Sequence, residues 1–137
     1  MEILHSLSEI SALGPAYLAI GVFDGVHLGH QAVIGRAVDD SRREANATAA
    51  VVTFDPHPLR VLRPESAPRL LTSTRHKFQF FSSLGATHCL ALPFDAALAG
   101  TAADEFIRAL AAAARPLREV CVGFNWSFGK GGAGNLD

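Results

Sequence analysis

Residues 21–30 read Gly-Val-Phe-Asp-Gly-Val-His-Leu-Gly-His, and their types and spacing suit a phosphate site. His27 and His30 stand three apart, so on the first turn of a helix both rings share one face and reach one polyphosphate. Gly25 and Gly29 carry no Cβ, which lets the backbone approach a ligand closely. A helix starting here offers unpaired N–H groups and the positive end of its dipole, both suited to an anion. Two histidines at this spacing also occur as ordinary surface residues. The combination of a strand end, a Phe-Asp-Gly turn and a helix start selects the phosphate reading and points to transfer chemistry. Zinc is a poor fit, because further ligands are lacking nearby. No glycine-rich loop near the first strand ends in Gly-Lys-Ser/Thr, which excludes a P-loop, and a dinucleotide fingerprint is absent too.

A second polar cluster, Asp55-Pro56-His57-Pro58, follows an apolar run. Taken alone it is equally a rigid proline-rich turn with a solvated His57. Cys89 and Cys121 both sit in apolar, strand-like runs, where a cysteine behaves as a small buried apolar residue. Two cysteines support neither a disulfide framework nor a Cys-based zinc site.

The elements that must hold these groups alternate. Residues 16–22 form a buried strand, and 29–45 an amphipathic helix with Val33, Ile34, Ala37 and Val38 inward. Residues 49–54 form a second strand, stopped by the prolines at 56 and 58. After a long connection over 55–71, helical spacing resumes over 73–84 through Phe78, Phe81 and Leu84, with Gly85 as C-cap. The segment 72–75, Thr-Ser-Thr-Arg, reads as its capping region. A third strand spans 87–94, and Thr101 caps a helix with Phe106, Ile107 and Leu110 inward, closed by Pro116. A fourth strand spans 118–124, and a glycine-rich tail follows. Strands alternating with helices predict a mainly parallel α/β sheet with ligands at the carboxyl ends of its strands.

Bulk properties narrow the classes. The chain of 137 residues suits one domain, and 49% apolar residues suffice for a core. A net charge of −1 gives no electrostatic case for nucleic acid or an anionic membrane. The N-terminus lacks a basic segment followed by an apolar stretch, and no apolar run approaches the roughly 18 residues of a membrane span. A reducing cytoplasm is the expected location.

The decapeptide resembles the H-x-G-H signature of the nucleotidylyltransferase superfamily. Within it the chain resembles the FMN adenylyltransferase module of bacterial bifunctional riboflavin kinase/FAD synthetases. The resemblance rests on GVFDGVHLGH at 21–30, TFDPHP at 53–58, LLTSTRHK at 70–77, LPFDAALAGTAADEF at 93–106 and VGFNWSFGKGGAG at 122–134. It implies a Rossmann-like three-layer sandwich with the four strands in the order 3-2-1-4, which keeps Cys89 and Cys121 apart. It also implies transfer of AMP from ATP to FMN, giving FAD and pyrophosphate, with magnesium. By the same resemblance His27 and His30 are catalytic. Gly21, Phe23 and Asp24 line the nucleotide pocket, with Gly25 and Gly29 giving backbone access. Asp55, Pro56, His57 and Pro58 seat the flavin, and Trp126 and Phe128 flank it. Asn125 contacts the nucleotide and joins Asp55 on magnesium.

The sequence departs from the family at its end. It stops at Asp137, before the family's Ser/Thr and Ile-Arg motif, and it holds no riboflavin kinase domain, which the full-length protein is expected to carry. Ser127 and Gly132 stand at positions often basic in the family. Two other readings remain: a non-catalytic nucleotide- or flavin-binding fragment, and a cytidylyltransferase with another phosphorylated acceptor.

Overall fold

Apolar residues run almost unbroken through the strand segments, as they must when both faces of a sheet are covered. The computed structural model describes residues 1–21, 23, 28–55, 74–93, 101, 103–114 and 116–122. Its elements are β1 (Glu2–Leu4), a 3-10 helix (Leu7–Leu13), β2 (Ala16–Ile20), α1 (Leu28–Ser41), β3 (Thr48–Asp55), α2 (Thr74–Ser83), β4 (His88–Pro93), α3 (Ala103–Ala113) and β5 (Leu117–Val122). The strands form one sheet in the order β1-β4-β3-β2-β5, and every pairing is parallel.

The period of two sorts the side chains into two layers. Leu18, Ile20, Val52, Leu90 and Leu92 pack with Ile10, Phe106 and Leu110 on the face covered by the 3-10 helix and α3. Ala19, Val51 and Cys89 pack with Ile34, Val38 and Phe81 on the face covered by α1 and α2. The result is the expected α/β three-layer arrangement. The strand order differs from expectation by one member. The four foreseen strands lie as β4-β3-β2-β5, and β1 adds an unforeseen fifth at the β4 edge. Strand β5 joins β2 with a register shift at Ala16/Tyr17, a bulge that leaves Leu117 and Val120 on one face three residues apart.

Element ends follow local chemistry. Helix α2 closes in a Schellman motif around Gly85: the Ala86 N–H donates to the Phe81 carbonyl at 3.2 Å, and the Gly85 N–H to that of Ser82 at 3.0 Å. Gly85 takes φ +101, as the motif requires. The helix expected over 29–45 ends earlier, at Ser41. Single turns follow, with Arg43 N–H on Asp40 O and Glu44 N–H on Ser41 O at 3.2 Å each, and Asn46 then adopts φ +63. Both cysteines are free, on strands separated by β3 and β2. Cys89 is buried, but Cys121 is only half-buried, contrary to expectation, because β5 ends the strand order among the described residues.

Candidate active site

The carboxyl ends of β2 and β5 lie side by side, and here the topology reverses. From β2 the chain steps to β3 and β4 on one side, then returns through α3 to β5 on the other. Such a switch point opens a crevice beyond the strand ends. Gly21 and Phe23, just after β2, and the first turn of α1 are described at this end of the sheet.

Gly21 continues the β2 ladder by one step, its N–H donating to the Val52 carbonyl at 3.0 Å. Phe23 then adopts φ +55, an outlier for a bulky residue. Its ring turns back over Gly21. A Cβ built on Gly21 would lie 2.9 Å from the Phe23 Cζ and 3.1 Å from both Cε atoms. Glycine is therefore required there by close approach. The Phe23 ring is buried and meets two others edge-on: His30 at 5.2 Å and 88°, and Phe81 of α2 at 5.5 Å and 72°. Gly29 is exposed in the first turn of α1, and a Cβ there would meet nothing within 4 Å. His30, one residue on, is half-buried.

Of the other expected site residues, Asp55 has a described backbone, paired with Pro93 at the carboxyl end of β3. Asp24, Gly25, His27, Pro56, His57, Pro58, Asn125, Trp126 and Phe128 lie outside the described residues. Among the described residues, no group of three or more His, Cys, Asp or Glu gathers where a metal ion would sit. Thus Gly21, Phe23 and His30 are brought together, and Asp55 ends the strand beside theirs. Phe81 is the addition that sequence reasoning missed. Its inward position was visible in the helical period, but nothing local pairs it with Phe23.

Neither thiol offers a nucleophile. Burial pushes Cys89 up to about 12 despite the nearby Lys77 charge. Burial, then a hydrogen bond from its Sγ to Glu119 Oε1 at 2.9 Å, pushes Cys121 up to about 12. On the same side of the sheet, Asp40 accepts a 2.7 Å bond from Arg36 Nε, which holds its carboxyl below the ordinary range. Glu44 accepts from the Tyr17 hydroxyl at 2.8 Å and from Arg118 Nε at 3.2 Å, tying the turn after α1 to β2 and β5.

The family model for FAD synthetase matches residues 9–137. The chain is 33% identical over 133 residues to the bifunctional riboflavin kinase/FMN adenylyltransferase of Escherichia coli K12, covering 97% of this chain and 42% of that protein. It is 35% identical to the protein of the same name from Bacillus subtilis, covering 96% and 41%. It is 32% identical to the FAD synthetase of Listeria monocytogenes, covering 100% and 55%. The chain thus spans about half the length, or less, of these relatives. A solved structure described as a macrolide-efflux protein from Streptococcus pneumoniae superposes with a TM-score of 0.75 at 22% identity, over 93% of this chain and 49% of that one. At that identity it is a likeness of fold alone. With the family model spanning residues 9–137 and the chain folding into one parallel α/β sheet, the chain belongs to the FAD synthetase family.

Proposed function

We propose that this protein transfers AMP from ATP to FMN, yielding FAD and pyrophosphate. One observation carries the reading: the family match runs through the segment at 21–30, which leaves the carboxyl end of β2 beside β5. A terminal phosphate oxygen of FMN attacks the α-phosphorus of ATP. The bond from that phosphorus to the bridging oxygen breaks, and pyrophosphate leaves with the electron pair. The FMN phosphate is already an anion, so no strong general base is required. The work is positioning and stabilisation of charge on the phosphoryl oxygens.

In this reading His30, on the first turn of α1, donates a hydrogen bond to those oxygens, with His27 as its partner in the motif. The dipole and backbone N–H groups at the N-terminus of α1 add to the same field. The bare Cα of Gly29 leaves room for a phosphate against the helix. Asp24 and Gly25 complete the nucleotide side, with Asn125 from the segment after β5. Asp55, Pro56, His57 and Pro58, with Trp126 and Phe128, form the flavin side. Asp55 and Asn125 offer the hard oxygen donors that magnesium takes. Held by such donors with ATP, magnesium would supply charge neutralisation for the phosphate oxygens.

The relatives named for riboflavin kinase as well suggest a partner activity that makes FMN, the acceptor used here. The two free thiols suit the reducing cytoplasm as the setting.

Chromatography of a mixture of protein, FMN, ATP and magnesium tests the reading, with FAD and pyrophosphate appearing in equal amounts. Binding of both substrates by calorimetry with no FAD would instead favour a binding module. Turnover of CTP in preference to ATP would favour a cytidylyltransferase.

A further inference from the structure

We infer that Phe23, wedged between Gly21 and Phe81, is a positioning residue that sets the ring of His30, an inference that rests on the adenylyl-transfer reading for its kinetic consequence. A half-buried histidine on the first turn of a helix has two side-chain torsions to fix, and a ring packed edge-on against it bears on both. The Phe23 ring meets the His30 ring at 5.2 Å and 88°, an edge-to-face contact of preferred geometry. Phe23 keeps that place at a cost, since φ +55 is strained for a bulky residue and persists only where its surroundings over-determine it.

Two features over-determine it. Below the ring, Gly21 leaves a space that a Cβ would close to 2.9 Å. Beside it stands Phe81, fully buried and 5.5 Å away. Helix α2 therefore reaches the proposed site through one ring, and Phe81 acts on His30 by way of Phe23. The opposite face holds a matched control. Phe106 is 5% exposed, as Phe23 is, and meets the Phe54 ring at 6.3 Å and 44°. Loss of its ring removes comparable core packing on the other side of the sheet.

The experiment compares Phe81→Leu with Phe106→Leu in the intact protein. It reads the thermal midpoint, kcat and KM for ATP and FMN, and the His30 ring resonances in ring-labelled protein, assigned by their loss in His30→Asn. Both variants should melt at lower temperature. Phe81→Leu alone should displace the His30 resonances and lower kcat about tenfold, with KM for ATP changed less than about twofold, because misplacement of a transition-state contact lowers the rate more than binding. Gly21→Ala should displace the same resonances, since its Cβ drives the Phe23 ring aside. Phe81→Met, whose unbranched thioether adapts to irregular core space, serves if the leucine variant does not fold. Unmoved His30 resonances in folded Phe81 variants would overturn the inference, as would equal displacement in Phe106→Leu. If His30 moves only in the Phe81 and Gly21 variants while the wild-type protein makes no FAD, the positioning role stands and the functional reading fails.

Discussion

On the face under α3 and the 3-10 helix, Leu18, Ile20, Val52, Leu90 and Leu92 meet Ile10, Leu110 and Phe106, with no buried polar residue among the described ones. On the face under α1 and α2 the sheet offers smaller groups, Ala19, Ala49, Val51 and Cys89, and the helices supply Ile34, Val38 and Phe81. All four buried polar residues described belong to this second side: Asp40 and Ser41 on α1, Lys77 on α2, and Thr53, which shares its direction with Val51 on β3. The strained Phe23 packs here as well. Both faces bury apolar surface, but one is free to optimise packing alone. In the proposed adenylyl transfer the other also presents His30 and the α1 N-terminus to a ligand, and the strain and buried polarity described lie on that side.

Substitutions on the two faces should separate activity from stability. The largest effect is expected for His30→Ala, with kcat lower by about 10²- to 10³-fold, as for removal of one donor to transition-state charge. Its urea midpoint should stay near that of the wild type, since His30 is only half-buried. On the other face, Leu110→Ala empties a fully buried position and should cost about 2–5 kcal/mol in denaturant unfolding. Its kcat per folded molecule should be unchanged. If Leu110→Ala impairs catalysis as His30→Ala does, the division between the faces is wrong.

Thiol chemistry gives a smaller test on the polar face. Both thiols are pushed up to about 12, so almost no thiolate exists at neutral pH. Reaction with a chromogenic disulfide should be slow in the native protein and fast after unfolding. Half-buried Cys121 should react before buried Cys89. Rapid native labelling of Cys89 would mean that α2 packs less closely than described.

The smallest effect concerns Asp40. Its folded value is lowered below 3.8, first by the Arg36 hydrogen bond. A group depressed on folding contributes stability that is complete above its ordinary value and is lost as pH falls through the folded value. The stabilisation should therefore be present at neutral pH and fade below pH 3.8. Replacement by Asn should flatten the dependence of the urea midpoint on pH in that window. An identical slope in Asp40→Asn would remove Asp40 from the account.

What could be read in the sequence was whatever local pattern governs. The inward residues of α1, the cap at Gly85 and the parallel α/β class all follow from periodicity and turn chemistry. So does the placement of residues 21–30 at a strand end. Strand β1 was missed because three residues, Glu-Ile-Leu, are too few to show alternation, and only pairing with β4 makes them a strand. The early end of α1 was missed because Arg42 and Arg43 extend its amphipathic pattern past the turn that Asn46 completes. The exposure of Cys121 and the rings around Phe23 depend on long-range packing. No spacing rule connects residue 23 with residue 81.

The central claim is adenylyl transfer to FMN, and the fate of the α-phosphorus tests it most directly. With ATP labelled at the α-phosphorus, FMN and magnesium, the label should appear in FAD, with one pyrophosphate released per FAD, and His30→Ala should abolish most of that signal. Label that stays in ATP, or emerges only as free AMP, while both substrates demonstrably bind, would contradict the account.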